Sequence, residues 1–358
     1  MRRRDFLLAL ASLPAVRSAQ AQAAEFARVV RGRRLDFPAD HGAHPDFRTE
    51  WWYATGWLTL PDGSPLGFQT TFFRVRTGIG EASPSAFAPR QLILAHAALA
   101  DPRFGRLRHD ERAARAGFGQ AGFATGETGV RVGDWRFAQR AGGYRAEVNS
   151  KDFAYVLNLA ADGSPLLNGE AGFSAKARDP RHASYYYSRP QLAADGSITV
   201  NGKSQRVTGR AWLDHEWSSE LLPEDAQGWD WIGVNLDDGG ALMAFRLRDR
   251  GGQALWSAAS LRQGDGGSET LATDAVAFEP LRHWRSPRTG ITYPVEWRVR
   301  IGRRELLLQP LMDDQELDSR RSTGAIYWEG AIRLNEGGRE VGRGYLEMTG
   351  YGERIRLG

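Results

Sequence analysis

Cysteine is absent from the 358 residues of this chain, and methionine occurs only four times. The lack of cysteine excludes disulfide bonds, cysteine-ligated zinc, iron–sulfur clusters and a thiol nucleophile. The motifs GxSxG, GxxxxGK[ST] and HExxH are also absent. Their absence argues against a nucleophile-elbow hydrolase, a P-loop nucleotide site and a helix-borne zinc protease site.

Excess charge of one sign is scarce as well. The chain has 47 Lys and Arg against 43 Asp and Glu, a net charge of +4. Four arginines and one aspartate among residues 1–21 supply most of this excess, so the rest of the chain is nearly neutral. A neutral body without long blocks of like charge argues against nucleic acid or an anionic membrane surface as a partner.

Residues 1–23 contain the three regions of an export signal in their usual order. The pair Arg3-Arg4 precedes an apolar run that is too short to span a bilayer. Small-x-small tripeptides end at Ala21 and at Ala23. We therefore expect twin-arginine export, cleavage near one of these alanines and a periplasmic mature protein. No later segment has the length and apolarity of a membrane helix, so we expect no integral membrane segment.

The remaining chain has the pattern of antiparallel sheet. Residues 50–60 alternate between two faces, residues 61–64 form a turn, and residues 66–76 continue as a second strand. Similar short segments recur to the C-terminus, among 42 glycines and many aromatic residues. Only residues 110–116 favour a short helix. The pattern predicts an all-β fold of sandwiches or barrels.

The length allows about two domains of roughly 150 residues each. A boundary is plausible within residues 189–204, because a new series of strands begins after the tyrosine run that precedes this segment. We therefore divide the mature chain into an N-terminal domain, residues 24–200, and a C-terminal domain, residues 201–358.

Two apparent motifs lack the required context. His41 and His44 have the spacing of a metal-binding pair, but they lie in a loop with Gly and Pro and without a carboxylate at a diagnostic offset. Residues 117–122 match GxGxxG, but no strand precedes them. We interpret residues 117–122 as a loop and His41 and His44 as part of a loop exposed to solvent, and we expect no metal site.

Acids and a histidine cluster around two short tryptophan-rich strands. Alternation in residues 211–217 places His215 on one face and Asp214 and Glu216 on the other. Asp230 begins the apolar face of the next predicted strand. A carboxyl group in an apolar pocket has a raised pKa, which would make Asp230 a proton donor near neutral pH.

Further acids lie close to aromatic residues in the sequence. They are Glu50, Glu216, Asp230, Glu329 and Glu347. For any single acid of this kind, exposure of its side chain to solvent at a strand end is the usual outcome. Together they favour buried carboxyl groups in an aromatic environment.

Most of the mature chain resembles the carotenoid 1,2-hydratase and AttH-like family of lipocalin-like proteins, whose members are often labelled secreted hydrolases. The segments that carry the resemblance are residues 44–53, 94–99, 134–135, 185–188, 212–217, 228–231, 327–330 and 344–351. The resemblance implies two consecutive lipocalin-like antiparallel β-barrels, with the motif residues gathered around a cavity near their junction.

Hydratase members are similar to this chain at His215, Trp217 and Trp229-Asp230. The resemblance and the residue chemistry together nominate His215, Asp230 and Glu216 as catalytic residues. The candidate substrate-binding residues are Glu50, Trp52, Tyr53, Trp217, Trp229, Tyr186, Trp328 and Glu329.

We therefore expect a periplasmic enzyme that hydrates or hydrolyses an apolar, lipid-like or isoprenoid-like substrate by acid–base catalysis. Such chemistry needs neither a metal nor an organic cofactor. The alternative is a carrier that holds a hydrophobic ligand without reaction, because small β-barrels often enclose one apolar molecule. The sequence leaves the oligomeric state open.

Overall fold

The computed structural model describes residues 25–354. The predicted export signal, residues 1–23, lies outside this range. The described chain consists almost entirely of antiparallel strands, with short 3-10 helices at Ala39–His41, Pro102–Phe104 and Thr273–Ala275. No helix within residues 25–354 is both long and apolar enough to cross a membrane.

The first thirteen strands form sheet A, which curls into a nearly closed barrel. Its strands are β1 (Thr49–Thr59), β2 (Pro65–Arg76), β3 (Gln91–Ala100), β4 (Arg108–Arg115), β5 (Ala121–Phe123), β6 (Gly129–Val132), β7 (Trp135–Arg140), β8 (Gly143–Asn149), β9 (Phe153–Ala160), β10 (Leu166–Leu167), β11 (Phe173–Ala175), β12 (Ala183–Val200) and β13 (Lys203–Ser218). The spatial order is β4-β3-β2-β1-β13-β12-β9-β8-β7-β6-β5, and β10 and β11 pair with β12.

The last ten strands form sheet B. Its strands are β14 (Gly228–Leu236), β15 (Ala241–Arg248), β16 (Ala254–Arg262), β17 (Ser268–Leu271), β18 (Val276–Arg285), β19 (Thr292–Ile301), β20 (Arg304–Pro310), β21 (Glu316–Ser319), β22 (Ala325–Glu336) and β23 (Arg339–Met348). The order is β17-β16-β15-β14-β23-β22-β20-β19-β18, with β21 on β22. Strand β18 curls back to contact β15 and β16. The predicted all-β architecture of two successive antiparallel barrels is confirmed.

The chain passes from sheet A to sheet B between Ser218 and Gly228, whereas the sequence placed the domain boundary at residue 200. Strands β12 and β13 form one long hairpin that closes at Asn201-Gly202. Both turn residues have positive φ angles, 51° and 76°. This is the turn geometry that joins neighbouring strands tightly, so the hydrogen-bonded sheet continues through the proposed boundary.

The predicted helix at residues 110–116 is instead part of strand β4. Strand β4 pairs with β3 along its whole length, from Leu99 opposite Arg108 to Leu92 opposite Arg115. It lies at one end of sheet A, and charged residues are typical of such edge strands. Pairing with an apolar neighbour outweighs the weak helix propensity of this segment.

Strand alternation divides most of the buried apolar side chains among three large cores, beside two smaller clusters. One core fills the inside of sheet A, a second fills the inside of sheet B, and a third lies between the outer faces of the two sheets. The sheets approach closely near Gly67, where an added Cβ atom would lie 2.5 Å from the Tyr345 hydroxyl. Trp57 of sheet A also donates a hydrogen bond to the backbone oxygen of Gly344 in sheet B at 2.9 Å. The outer faces of both sheets can therefore build one shared site.

Candidate active site between the sheets

A cavity of about 80 Å³ lies between the two sheets. This volume holds several water molecules or one end of an apolar molecule, since one water needs roughly 10–15 Å³. Its apolar wall includes Trp51, Phe73, Trp229, Trp231, Phe245 and Leu247. Its polar wall includes Tyr53, Lys176, Tyr186, Asp214, Glu216, Tyr327, Glu329 and Glu347. We call this space the inter-sheet cavity.

Two glutamates of sheet B face each other across the floor of the inter-sheet cavity. Glu329 of β22 is the direct cross-strand partner of Glu347 of β23. Side chains at such positions start only about 5 Å apart. The side chain of Glu329 is almost completely buried, with 2% of its surface exposed. The register of the two strands thus turns residues that are separate in the sequence into a pair of facing carboxyl groups.

The environment favours the protonated form of both glutamates. Burial is the largest cause that raises the pKa of Glu329 well above its ordinary value, and repulsion from Glu347 is the second. Burial, followed by the nearby negative charges of Asp214 and Glu216, raises the pKa of Glu347 to about 8. Neither Glu329 Oε1 nor the Tyr53 hydroxyl has a hydrogen-bond partner within residues 25–354. The pair therefore retains at least one proton near neutral pH.

Asp214 forms a second acidic group on the sheet A side. Its carboxylate accepts hydrogen bonds from Ser188 Oγ at 2.5 Å, Trp212 Nε1 at 2.7 Å and Tyr186 Oη at 2.5 Å. Burial raises the pKa of Asp214 to about 7, although the three donors favour the charged form. Asp214 can therefore be a carboxylate while Glu329 is protonated, which separates a base from an acid in one site.

Glu216 on the same strand is held in an ion pair. Lys176 Nζ lies 2.9 Å from Glu216 Oε1, and Ser184 donates a hydrogen bond to the same oxygen. The Lys176 ammonium also lies 4.3 Å from the ring centre of Phe245. The pair places a fixed positive charge beside the aromatic wall of the inter-sheet cavity.

Five of the residues nominated from the sequence line the inter-sheet cavity. They are Glu216, Tyr53, Tyr186, Trp229 and Glu329. The sequence reasoning did not nominate Asp214, Glu347 or Lys176. For Asp214 a signal existed in the alternation that places it on one face with Glu216, and Glu347 was already among the acids expected to be buried. For Lys176 no signal existed, since it follows the short strand β11 in an irregular segment.

His215, by contrast, points to the inside of sheet A. Its Nε2 lies 2.9 Å from Glu50 Oε1, and its Nδ1 lies 3.1 Å from the Tyr187 hydroxyl. His44 Nδ1 contacts the same Glu50 oxygen at 2.7 Å, and Arg74 Nε contacts the other at 2.7 Å. We call His44, Glu50, Arg74 and His215 the histidine cluster. Glu50 thus has a place in this cluster and not in the inter-sheet cavity.

Burial and hydrogen bonding set the charges in the histidine cluster. Burial lowers the pKa of His215. Burial also disfavours the charged form of His44, but hydrogen bonds to Asp40 and Glu50 outweigh it and raise the pKa. Burial would raise the pKa of Glu50, but hydrogen bonds from His215 and His44 hold it well below its usual range. The cluster is therefore a network of a carboxylate with charged and neutral donors.

The sequence interpretation of His41 and His44 as solvent-exposed loop residues is wrong. His41 is 7% exposed, and its Nδ1 lies 2.8 Å from the Tyr187 hydroxyl. His44 stacks on Trp217 with ring centres 3.8 Å apart. Long-range contacts with strands β12 and β13 bury this loop.

Two nominated tryptophans pack on the same cluster. Trp217 stacks on His44, and Trp52 stacks on His215 with ring centres 4.8 Å apart. A third, Trp328, lies in the core inside sheet B and donates a hydrogen bond to the backbone oxygen of Asp313 at 2.8 Å. None of the three lines the inter-sheet cavity.

Ligand atoms of His44, Glu50 and His215 lie within 4.8 Å of one another, which is a geometry that could hold a metal ion. Each of these atoms already has a hydrogen-bond partner, and the Arg74 guanidinium lies against the same carboxylate. A positive charge at this distance opposes a bound cation. The ring nitrogens of His44 and His215 and the carboxylate of Glu50 therefore satisfy one another's hydrogen bonds, together with Arg74.

The predicted acid–base pair of His215 and Asp230 does not form. Asp230 lies inside sheet B, where its carboxylate is ion-paired with Arg246 Nε at 2.6 Å and Arg248 Nε at 2.9 Å. The Tyr351 hydroxyl donates to it at 2.9 Å. These are partners of a structural carboxylate. The reason is alternation in β14, which sends Asp230 inward and its neighbours Trp229 and Trp231 to the inter-sheet cavity.

The raised pKa of Glu347 predicts a pH-dependent contribution to stability. The native state keeps a proton on Glu347 that the unfolded state releases above about pH 4.5, so stability is lost as the pH rises from there to about 8. We expect urea unfolding midpoints of the wild type to fall over this range relative to those of Glu347→Gln. If the difference between the wild-type and Glu347→Gln midpoints were the same at pH 5 and at pH 8, the result would show that Glu347 titrates normally.

Comparison with known proteins identifies the family. Residues 28–351 match the model of the AttH-like family. A crystal structure assigned to AttH, from Nitrosomonas europaea, is 50% identical over 91% of this chain and 100% of its own, with a TM-score of 0.86. None of the curated protein sequences matches this chain.

More distant structures share the fold. Kievitone hydratase from Nectria haematococca is 15% identical over 92% of this chain and 96% of its own, with a TM-score of 0.69. CghA with Sch210972 is 14% identical over 87% of this chain and 89% of its own, with a TM-score of 0.54. The match to the family model covers nearly all described residues, and the chain therefore belongs to the AttH-like family.

Proposed function

We propose that this protein is an acid–base hydratase that adds water to a carbon–carbon double bond of an apolar substrate in the inter-sheet cavity. The observation that carries the proposal is the Glu329–Glu347 pair, in which the buried carboxyl group of Glu329 faces the partly buried one of Glu347 and a retained proton is favoured. An unactivated alkene needs a donor that is neutral until it reacts, and a carboxyl group in an apolar site meets this need.

The step balances within the residues of the cavity. The Glu329 carboxyl gives its proton to one alkene carbon, which leaves a carbocation on the other carbon and a carboxylate on Glu329. Water then adds to the cation, and Asp214 accepts the proton that the added water releases. Trp51, Trp229 and Trp231 supply ring faces for the cation, and such a contact is worth about 2 kcal/mol when desolvated.

The same acid could cleave an ester of an apolar alcohol. Glu329 would protonate the leaving oxygen, and Asp214 would activate the attacking water. Hydration is the better-supported reaction, because the cavity wall offers aromatic faces for a carbocation. The fold it shares with a hydratase is consistent with that choice.

A carrier role is the second candidate, and the predominantly apolar and aromatic wall of the inter-sheet cavity favours it. In that case the protonated glutamates would only reduce the cost of burying two acids.

We further propose, from residues 1–23, that the mature protein works in the periplasm after twin-arginine export.

Geranyl acetate tests these alternatives, because it carries isoprenoid double bonds and one ester. The purified protein is incubated with it in ¹⁸O-labelled water, and the products are analysed by mass spectrometry. Hydration is expected, with one labelled oxygen on carbon and the ester intact. Release of acetate would favour hydrolysis. Recovery of unchanged geranyl acetate bound to the protein would favour the carrier and overturn the catalytic proposal.

A further inference from the structure

A line of hydrogen-bonding side chains leads from the inter-sheet cavity to Glu111, beside the exposed Arg321. It starts at Tyr327, which lines the cavity two residues from Glu329 on the same face of β22. It continues through His96 and Ser322 to Glu111 on the edge strand β4. We propose that these residues are a proton relay that exchanges the proton of Glu329 with solvent. The inference rests on the proposed function, because it concerns the return of the proton to that acid.

The contacts from Tyr327 to Glu111 are continuous, and Tyr327 is also a hydrogen-bonding neighbour of the Glu329 carboxyl. His96 Nδ1 lies 2.8 Å from the Tyr327 hydroxyl, and His96 Nε2 lies 2.9 Å from Ser322 Oγ. Ser322 Oγ donates a short hydrogen bond to Glu111 Oε2. Each group in the line can both give and receive a proton.

The outer end of the relay lies just beneath the surface. The Glu111 side chain is 4% exposed, and its Oε1 accepts a hydrogen bond at 2.8 Å from Arg321 Nε, whose side chain is 78% exposed. Between the two ends, His96 is completely buried and Tyr327 is 6% exposed. The relay therefore joins Glu329 in the cavity to a carboxylate covered by one exposed arginine.

The number of protons is conserved over one transfer along the relay. A proton on Glu111 passes to Ser322, whose own proton passes to His96 Nε2. The proton on His96 Nδ1 passes to Tyr327, whose hydroxyl proton passes to the Glu329 carboxylate. Each intermediate gains one proton and loses one, so Glu111 loses and Glu329 gains a single proton. The His96 ring ends as the other neutral tautomer, which fits burial of the ring without charge.

The relay explains a feature that packing alone does not require. Strand β3 is otherwise apolar around His96, with alanines on both sides of it. A histidine there needs two partners to avoid unpaired buried nitrogens, and it obtains them from a cavity residue and a surface turn. The arrangement provides acid recovery after Glu329 has protonated a substrate and the released proton has gone elsewhere.

The test uses the protonated carboxyl band in the infrared spectrum and needs no substrate. Wild-type protein is mixed rapidly with D₂O, and the shift of the carboxyl C=O stretch is followed in time. The part of the band that Glu329→Gln removes is assigned to Glu329. We expect Ser322→Ala and His96→Phe to slow its exchange at least about tenfold, which is the factor for 1.4 kcal/mol of barrier.

Thr323→Ala is the matched control, because Thr323 lies in the same turn and has hydroxyl hydrogen bonds but no place in the relay. It should leave the exchange rate unchanged. Ser322→Ala removes only a part-buried hydroxyl group, so it remains informative if His96→Phe folds poorly. Exchange at the wild-type rate in Ser322→Ala would overturn the relay and show that water reaches Glu329 directly.

The two proposals fail differently in this experiment. A protonated Glu329 band with unaltered exchange in the variants would remove the relay and leave the acid in place. The absence of any band sensitive to Glu329→Gln at pH 7 would remove both the acid and its relay.

Discussion

Glu329→Gln is expected to reduce hydration of geranyl acetate by about 10²–10⁴-fold, the usual contribution of a general acid. Glutamine has nearly the shape of a protonated glutamate and is also neutral, so it preserves the packing of the inter-sheet cavity. It cannot release a proton to the alkene. Initial rates and binding of the same substrate are measured on the purified variant, and affinity should change little.

The matched control for this variant is Glu305→Gln, because the Glu305 side chain is 72% exposed and remote from the inter-sheet cavity. It should leave both turnover and the unfolding midpoint unchanged. A second check is the stability of Glu329→Gln at pH 8. It should not fall below that of the wild type, because the substitution removes one of two facing acids. Undiminished turnover in Glu329→Gln would exclude Glu329 as the proton donor.

Asp230→Asn is expected to lower the free energy of unfolding by about 3–5 kcal/mol, the usual cost of removing one partner of a buried ion pair. The substitution leaves Arg246 and Arg248 without their shared carboxylate in the interior of sheet B. Urea unfolding followed by tryptophan fluorescence measures this loss. Turnover per folded molecule should stay near the wild-type value, because Asp230 does not line the inter-sheet cavity.

Asp237→Asn provides the comparison for that result, since Asp237 lies at the solvent-exposed turn after β14. It should change the free energy of unfolding by no more than about 0.5 kcal/mol. A large loss of turnover in Asp230→Asn without loss of stability would restore the catalytic role that the sequence assigned to Asp230.

Strand alternation predicted much of the fold and part of the site. The placement of His215 on one face and of Asp214 and Glu216 on the other follows from the period of two, and the structure shows the same separation. Alternation cannot tell which face of a strand meets another sheet. The faces of β13 and β14 that carry His215 and Asp230 turned out to be the insides of two different barrels. The outward faces, with Asp214, Glu216 and Trp229, build the cavity.

The remaining site residues depend on contacts far apart in sequence. The pairing of Glu329 with Glu347 needs the register of β22 and β23, which a hairpin turn and its bulge determine. The burial of His44 needs Trp217, which is more than a hundred residues away. Local sequence shows that these residues are polar, but only the assembled sheets show which partners they meet.

The edge strand β4 shows the same limit for secondary structure. Its composition allows a helix, and the long pairing with β3 makes it a strand. The Asn201-Gly202 turn shows the opposite case, because this dipeptide is a strong hairpin signal within the sequence itself. In the structure the turn joins β12 and β13 within one sheet.

The protonation state of Glu329 can be measured directly by ¹³C NMR on protein with glutamate labelled at the side-chain carboxyl carbon. The signals are followed through a pH titration, and the one missing from Glu329→Gln is assigned. The account predicts that this signal has the chemical shift of a neutral carboxyl at pH 7. A signal that titrates near the ordinary glutamate pKa, about 4.3, would mean that no neutral acid stands ready in the space between the sheets.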